Sequence, residues 1–211
     1  MITYYSQRAA EYDRIYDIPE RQPDIQELHR LCGAMFEGLD VLEVSCGTGY
    51  WTQSIASSAK SITASDINDS VLQIARNRTW SGTAVEFRQA DSYALPDFDR
   101  RFNAAFSGFW WSHIPQNRIR DFLLGFHAHL APNAPVVFID NRYVEGSSTP
   151  ISRIDENGDS FQIRKLGDGS SYEVLKNFPS KDELTAAIEG IAHSVKVNLL
   201  DYYWILSYQK K

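Results

Sequence analysis

Apolar residues recur along the first two thirds of the chain in two alternating patterns. Short apolar or β-branched runs alternate with longer segments in which apolar residues return every three or four positions. The short runs predict buried strands, and the longer segments predict amphipathic helices. The predicted strands are residues 40–44, 61–65, 85–90, 102–107 and 136–140, and the predicted helices are residues 23–35, 50–58, 69–78 and 118–130.

Strands that alternate with helices predict an α/β fold. Right-handed crossovers between consecutive strands produce a parallel sheet that carries helices on both faces. Residues 136–139 are continuously apolar, as in a central strand. Two final runs, residues 195–199 and 203–208, predict a closing antiparallel pair. We therefore expect one domain over residues 1–211, built on a seven-stranded, mainly parallel sheet with an antiparallel last strand.

The segment 142–178 is longer than such a fold requires. Two runs, residues 161–166 and 172–176, flank turn residues and predict a β-hairpin inserted near the C-terminal third. Ser180 and Glu183 then have the spacing of a capping box, which predicts a helix that ends near residue 190. We expect the insertion to cap a ligand site and to select what binds there. A peripheral sheet or a contact between subunits is the alternative.

Composition and charge exclude several classes of binding partner. The 211 residues carry a net charge of −6 and lack a run of Lys and Arg that would form a basic face, so a nucleic-acid partner is not expected. Cys32 and Cys46 cannot make a disulfide framework and have no Cys or His at metal-ligand spacing, so we expect no metal site. Without an apolar signal core or a run of 18 apolar residues, we expect a cytoplasmic protein with no membrane partner.

Small and acidic residues follow three successive predicted strands. Gly47 and Gly49 allow a tight turn and a close ligand approach, ahead of a helix N-terminus with free N–H groups. Asp66 ends the second strand, where a carboxylate can accept hydrogen bonds from both hydroxyls of a ribose. Asp91 and Ser92 end the third strand and can reach an amino group at the far end of the same ligand. These positions predict a nucleotide-like ligand, and a purely structural turn is the alternative.

The number of glycines in the first turn discriminates between nucleotides. A dinucleotide-binding turn has a third glycine, but Thr52 stands at that position. The turn is also not followed by the Gly-Lys-Ser/Thr of a P-loop. A ligand with a ribose, an adenine and a carboxylate instead of phosphates fits better. An NAD-dependent oxidoreductase remains an alternative, since it shares the turn and Asp66.

Residues 41–49, with the sequence Val-Leu-Glu-Val-Ser-Cys-Gly-Thr-Gly, resemble the first motif of the class I S-adenosylmethionine (SAM)-dependent methyltransferases, in the small-molecule branch. Asp66 and Asp91 match the acids that hold the ribose and the adenine amino group. Ser45 departs from the pattern, because the family has glycine there. The resemblance implies a Rossmann-like fold with SAM as cofactor. The cofactor-binding residues that it implies are Tyr12, Glu43, Ser45, Gly47, Gly49, Asp66, Ile67, Asp91, Ser92, Ser107 and Phe109.

The activity that the resemblance implies is transfer of a methyl group to an oxygen, nitrogen or carbon nucleophile of a small molecule. A non-catalytic SAM-binding module is the alternative. We expect a small-molecule methyl acceptor and a monomer or homodimer. Residues 1–22 resemble the segment that closes over the cofactor as a lid in such enzymes; a helix packed on the surface is the other interpretation.

Candidate substrate-binding and catalytic residues follow the fourth and fifth predicted strands. The rings of Phe109, Trp110 and Trp111 can form pocket walls that favour a sulfonium or a cationic substrate, although each ring can equally belong to the core. Tyr143 follows the fifth strand and can touch substrate. His113 is the candidate general base, since an imidazole with a pKa near ~6.5 can take a proton from a hydroxyl. A structural role for this histidine is the alternative.

Overall fold

The computed structural model describes residues 2–80 and 82–211. Position 1 of the predicted segment 1–22 therefore lies outside the described residues. A β-sheet forms the centre of the protein. The described strands are β1 Asp40–Val44, β2 Ser61–Asp66, β3 Ala84–Gln89, β4 Ala104–Gly108, β5 Pro135–Asn141, β6 Arg153–Ile154, β7 Ser160–Lys165, β8 Ser171–Leu175, β9 Ala192–Leu199 and β10 Tyr203–Lys210.

The central sheet contains seven of these strands, in the order β3-β2-β1-β4-β5-β10-β9. Neighbours from β3 to β5 are parallel, whereas β10 runs antiparallel to both β5 and β9. The prediction of a seven-stranded, mainly parallel sheet with an antiparallel last strand is confirmed. The strand order reverses between β1 and β4, and such a reversal opens a crevice at the carboxyl ends of the two strands.

Helices cover both faces of this sheet, as the sequence predicts. On one face, Leu28 and Trp51 belong to the same buried cluster as Val41 of β1. On the other face, Phe122 belongs to the cluster that contains Leu42 of the same strand. Consecutive residues of β1 thus enter different clusters, because side chains alternate across a strand. The helices are α1 Ile2–Arg8, α2 Gln22–Met35, α3 Tyr50–Ala56, α4 Asp69–Arg76, α5 Ile119–His127 and α6 Lys181–Ala187.

Several helices are shorter than predicted at their C-terminal ends. The chain after α5 continues in tighter turns, in which the N–H of His129 bonds to the Phe126 carbonyl and that of Leu130 to the His127 carbonyl. The chain after α6 reaches Gly190, whose φ of 78° is left-handed and incompatible with a continuing helix. At the start of α6 the predicted capping box is present, formed by Ser180 and Glu183. Each predicted helix is therefore present, and only the residues at which the helices end differ from the prediction.

The inserted segment forms a small antiparallel sheet rather than a hairpin alone. The predicted hairpin is confirmed as β7 and β8, and the two-residue β6 adds a third strand beside β7. The pattern missed β6 because two residues show no periodicity. The guanidinium of Arg153 lies 3.6 Å from the centre of the Phe161 ring and pairs with Glu173 across the small sheet. The small sheet is therefore held by its own side chains.

Both the insertion and the N-terminal segment lie near the carboxyl ends of β4 and β5. The N–H of Asn177, just after β8, donates to the Ser112 carbonyl at 2.8 Å. The hydroxyl of Tyr172 in β8 bonds to Oε1 of Gln7 in α1 at 2.5 Å. In the part of the chain that the structure describes, no helix is both long enough and apolar enough to cross a membrane.

Candidate active site

The turn between β1 and α3 adopts a left-handed backbone at three positions. Ser45, Gly47 and Gly49 have φ values of 54°, 56° and 77°. A Cβ on Gly47 would meet nothing within 4 Å, so this glycine leaves space that a ligand can fill. A Cβ on Gly49 would lie 3.1 Å from the Trp80 ring. The open space at Gly47 is compatible with close ligand approach, which stays a prediction, whereas Gly49 serves the turn and packs against Trp80.

Asp66 orders this turn from the end of β2. Its Oδ2 accepts a hydrogen bond from the N–H of Gly47 at 3.0 Å, and its Oδ1 accepts one from the N–H of Asn68 at 2.9 Å. Burial raises the pKa of Asp66, while these backbone donors oppose the rise. The carboxylate is thus held rigidly with one edge on the turn.

The end of β3 is connected to the same turn. The hydroxyl oxygens of Ser92 and Ser45 lie 2.9 Å apart, at hydrogen-bond distance. Asp91 is exposed, and its Oδ1 accepts a hydrogen bond from the N–H of Tyr93 at 2.9 Å. Ser45, the departure from the glycine pattern, therefore keeps a left-handed backbone and gains a partner in the segment after β3.

Glu43 lies on β1 beneath the turn and is 1% exposed. Its Oε2 has no hydrogen-bond partner among the described residues. Burial raises the pKa of Glu43 to about 8, and nearby Asp66 contributes to the rise. The residue lines a small cavity of about 30 Å³ together with Ser45 and Tyr12. A buried carboxyl oxygen without a partner beside a cavity suits a ligand that brings its own donor.

A larger cavity of about 260 Å³ opens at these strand ends, and we call it the strand-end cavity. It is the place where the carboxyl ends of β1, β2, β3 and β4 converge, as the strand order requires. The predicted site residues that line it are Tyr12, Ser45, Gly47, Asp66, Ile67, Asp91, Ser92, Phe109, Trp110 and His113. Residues as far apart in the sequence as Tyr12 and His113 thus line one cavity.

Some predicted site residues lie elsewhere. Ser107 is buried and donates to the Val44 carbonyl at 3.1 Å, so its hydroxyl stabilises the sheet. Trp111 is 1% exposed and packs edge-on against Phe138 and Trp204, with ring centres 5.0 and 5.9 Å away. The alternative interpretation, a core ring, therefore describes Trp111. Trp111 also lines a separate cavity, and its substrate contact stays a prediction.

Tyr143 is also separate from the strand-end cavity. Its ring is exposed and lies edge-on to Phe178, with 5.3 Å between the ring centres. Phe178 in turn lines a second cavity described below. The substrate contact of Tyr143 stays a prediction.

Phe109 has an unusual backbone conformation at the mouth of the cavity. Its φ is 59°, which is a strained value for a bulky residue, and such strain concentrates at functional sites. The ring stacks on Trp51 at 5.7 Å and meets Tyr16 edge-on at 5.5 Å. Trp110, beside it, lines the cavity and packs edge-on to Tyr93 at 5.7 Å. The aromatic wall predicted after β4 is therefore made by Phe109 and Trp110.

His113 bridges two segments. Its Nδ1 donates to the Leu175 carbonyl of β8 at 2.6 Å, and its Nε2 accepts from the Tyr5 hydroxyl at 2.8 Å. Burial and the Lys176 ammonium together lower the pKa of His113 to about 3. The imidazole is therefore neutral with its free lone pair already engaged. This geometry disfavours a general base, and the catalytic role of His113 stays a prediction.

The pattern along the chain missed several cavity-lining residues. Asn68, Val71 and Tyr93 line the strand-end cavity but belong to no motif, and Tyr5 lines it from the predicted lid segment 1–22. A second cavity beside it is lined by basic side chains from distant segments, and local spacing carries no signal for such a set. Among the described residues, no three His, Cys, Asp or Glu side chains are grouped as metal ligands would be.

The sheet order, the antiparallel β10 and the glycine turn beneath acidic strand ends are together typical of one class of protein. A family model described as a methyltransferase domain matches residues 41–133, from β1 to the turn before β5. Over this segment the chain is similar to the class I SAM-dependent methyltransferases. The sequence-based resemblance to this family is thereby confirmed.

Curated relatives carry the name demethylmenaquinone methyltransferase. The protein from Tropheryma whipplei (strain Twist) is 28% identical over 158 residues, which cover 72% of this chain and 65% of that protein. The one from Staphylococcus aureus (strain MRSA252) is 29% identical over 82 residues, covering 37% and 34%. The matched segments thus span from about a third to just under two thirds of those relatives.

Solved structures match over nearly the whole chain. A complex of DhpI with S-adenosylhomocysteine (SAH) has a TM-score of 0.80 and 29% identity, covering 99% of this chain and 94% of that one. A complex described as DhpI-SAM-HEP has a TM-score of 0.79 and 28% identity, covering 98% and 94%. The N-methyltransferase NodS from Bradyrhizobium japonicum WM9 shares the fold, with a TM-score of 0.67, 13% identity and coverage of 99% and 97%.

Proposed function

We propose that this protein transfers a methyl group from SAM to a small-molecule acceptor. The observation that carries the proposal is the strand-end cavity, which Asp66 and Asp91 line and in which Gly47 leaves open space. The two DhpI complexes, which match nearly the whole length of this chain, support the proposal because they contain SAH and SAM, respectively. The curated relatives are methyltransferases by name.

Each part of SAM is assigned a partner in the strand-end cavity or, for Glu43, in the small cavity beneath the turn. Asp66, rigidly held at the end of β2, would accept hydrogen bonds from the ribose hydroxyls. Asp91 and Ser92 would contact the adenine. Glu43 would accept a hydrogen bond from the ammonium group of the amino-acid portion, which would satisfy its unpartnered Oε2. A cation there would also favour the ionised carboxylate.

Methyl transfer from a sulfonium demands alignment and a dry site more than acid–base chemistry. The bound donor would supply a methyl group that its positive sulfur already activates. Tyr5, Tyr12 and Phe109 line the cavity and would exclude water from the reacting atoms. Rigid walls of this kind would hold the acceptor in line with the methyl carbon.

The N-terminal segment and the insertion are proposed to be the lid and the cap of this site. Asp13 accepts a hydrogen bond from Thr48 of the glycine turn at 2.6 Å and pairs with Arg78. Tyr5 contacts His113, which in turn contacts the insertion. The lid would therefore rest on the turn on one side and on the cap on the other. A cytoplasmic location and a monomeric or dimeric state remain predictions.

Isothermal titration calorimetry with SAM, SAH and NAD tests the cofactor assignment. We expect SAH to bind and NAD not to bind. Asp66→Asn should weaken SAH binding by roughly 10- to 100-fold, because a charged acceptor of two hydroxyls is lost. Asp69→Asn is the matched control, since Asp69 is exposed and pairs with Arg76 on the outside of α4. Preference for NAD would refute the proposal.

A methyl-transfer screen separates an enzyme from a non-catalytic binding module. Purified protein is incubated with SAM carrying a labelled methyl group and with extracts of small molecules. Label in a small-molecule product supports the proposed function. SAH binding without transfer to any acceptor in extract would favour the binding module.

A further inference from the structure

The second cavity has a volume of about 260 Å³ and adjoins the strand-end cavity. The two share a wall, which consists of Tyr5, Tyr12, Phe109 and His113. We call it the basic cavity because four cationic side chains line it: Arg8, Arg21, Arg164 and Lys176. Two come from the N-terminal segment and two from the insertion, so the cavity lies where the proposed lid meets the proposed cap.

The positive charge of the basic cavity is only partly balanced. Lys176 pairs with buried Asp140 at 3.0 Å. Within residues 2–80 and 82–211, the ion pairs formed by the protein leave Arg8, Arg21 and Arg164 without a carboxylate, and no acidic side chain lines the cavity. Three guanidinium groups are thus gathered in one place, although the chain as a whole has a net charge of −6.

The positive groups are close enough to influence one another. Burial lowers the pKa of the Lys176 ammonium, and Arg164 and Arg21 lower it further against the opposing effect of Asp140. Like charges held together in a partly buried site repel, so the arrangement is costly unless a negative ligand offsets it. A ligand anion would turn this repulsion into binding.

The guanidinium groups are oriented by neutral acceptors. Arg8 donates to the Tyr4 hydroxyl at 2.8 Å, and Arg21 donates to the Ser147 hydroxyl at 2.8 Å. Arg164 donates to Oε1 of Gln162 at 2.5 Å. Among the described residues, Nε of Arg21 is buried without an acceptor. Planar groups held in this way retain donors that match the oxygens of an oxyanion.

From this cavity we propose that the methyl acceptor is a small molecule with an oxyanion group, held by Arg8, Arg21 and Arg164, and that an oxygen of this group receives the methyl. The inference rests on the proposed function. A lone pair of the oxyanion oxygen forms the new C–O bond while the C–S bond of the donor breaks and its electron pair stays on sulfur. The products are a methyl ester and SAH.

An anionic acceptor oxygen agrees with the state of His113. Because the nucleophile is already deprotonated, the step releases no proton and needs no general base. His113 has both ring nitrogens engaged and serves to hold Tyr5 against β8. Two kinds of oxyanion share the required chemistry, a carboxylate and a tetrahedral phosphate or phosphonate.

Binding of simple anions tests the cavity without knowledge of the natural acceptor. Protein saturated with SAH is titrated in a calorimeter with inorganic phosphate, methylphosphonate or acetate, and with neutral acetamide as control. We expect at least one oxyanion to bind and acetamide not to bind. Phosphate or methylphosphonate binding indicates a tetrahedral oxyanion, and binding of acetate alone indicates a carboxylate.

Variants locate the bound anion. Arg164→Gln and Arg21→Gln should each weaken oxyanion binding by about 10-fold or more, because each removes a charged donor. SAH affinity should change by less than about 2-fold, and Arg164→Lys should recover part of the loss by restoring the charge. Arg153→Gln is the matched control, since Arg153 lies on the same small sheet but pairs with Glu173 outside the cavity.

The outcomes distinguish this inference from the proposed function. If SAH binds but no oxyanion binds, the acceptor assignment is wrong while the methyltransferase proposal stands. Equal losses in Arg153→Gln and Arg164→Gln would also overturn it. Failure to bind SAH would refute the proposed function itself. In a transfer assay with labelled SAM, mass spectrometry should find the label in an ester, and label on nitrogen or carbon would overturn the assignment of the acceptor oxygen.

Discussion

Glu43 is a buried acid whose pKa is raised by the fold, so its effect on stability can be measured as a function of pH. It lies on β1 with 1% of its surface exposed, and its Oε2 has no partner among the described residues. Burial raises its pKa from the ordinary value of 4.5 to about 8. Glu43→Gln keeps the size of the side chain and removes the ionisable group, so a comparison with the parent isolates this titration.

The shift defines how stability should depend on pH. Because the pKa is raised in the folded state, the contribution of Glu43 is fully present below the unfolded pKa and is lost as pH rises through about 8. Each pKa unit corresponds to about 1.4 kcal/mol, so the complete loss is about 5 kcal/mol as an upper bound. Between about pH 5 and about pH 8, the parent should lose roughly 3 kcal/mol relative to Glu43→Gln.

Urea unfolding of both proteins at the two pH values measures this difference. Val41→Ala is the control on the same strand, since it removes buried packing without an ionisable group and its effect should be the same at both pH values. Saturating SAH should reduce the pH dependence of the parent, because the proposed contact of its ammonium favours ionised Glu43. If the free-energy difference between parent and Glu43→Gln is independent of pH, the reasoning about Glu43 is wrong.

Three further substitutions test the structure through the free energy of unfolding in urea. Lys176→Met should destabilise by about 3–5 kcal/mol, because it leaves Asp140 buried and uncompensated; a loss below about 1 kcal/mol would show that the pair is weak. Ser180→Ala should cost about 1 kcal/mol through the lost helix cap, and an unchanged midpoint would contradict the capping box. Gly49→Ala should cost roughly 1–3 kcal/mol, because alanine is strained in the left-handed backbone at this position and its Cβ would contact Trp80. Full stability would show that the turn relaxes freely.

The residues at the strand ends could be predicted because their positions follow from local rules. Asp66 and Asp91 each come directly after a predicted strand, and parallel strands place their carboxyl ends at one edge of a sheet. The family motif around Gly47 added the identity of the ligand. The roles of individual residues in the turn needed coordinates. Gly47 and Gly49 look alike in sequence, yet Gly47 faces open space and Gly49 faces the ring of Trp80.

The aromatic loop shows where a residue pattern is insufficient. Trp110 and Trp111 are neighbours after β4, and both were candidates for the pocket wall. The turn that follows β4 directs one ring to the cavity and the other to the core, where it meets Phe138 and Trp204. Likewise His113 was a candidate base from its place in the loop. Its contacts with Leu175 and Tyr5 come from segments far away in sequence, and these contacts together with burial determine its protonation state.

The amino-acid sequence by itself determined the alternation of strands and helices, the family and the acidic strand ends, because periodicity and short motifs are local properties. Only the tertiary structure decided which side chains share a cavity. Arg8 and Arg21 are more than a hundred residues from Arg164, and it is the docking of the N-terminal segment against the insertion that brings their charges together. Charge acts through space and not along the chain, so a cationic site inside an acidic protein becomes visible only after folding.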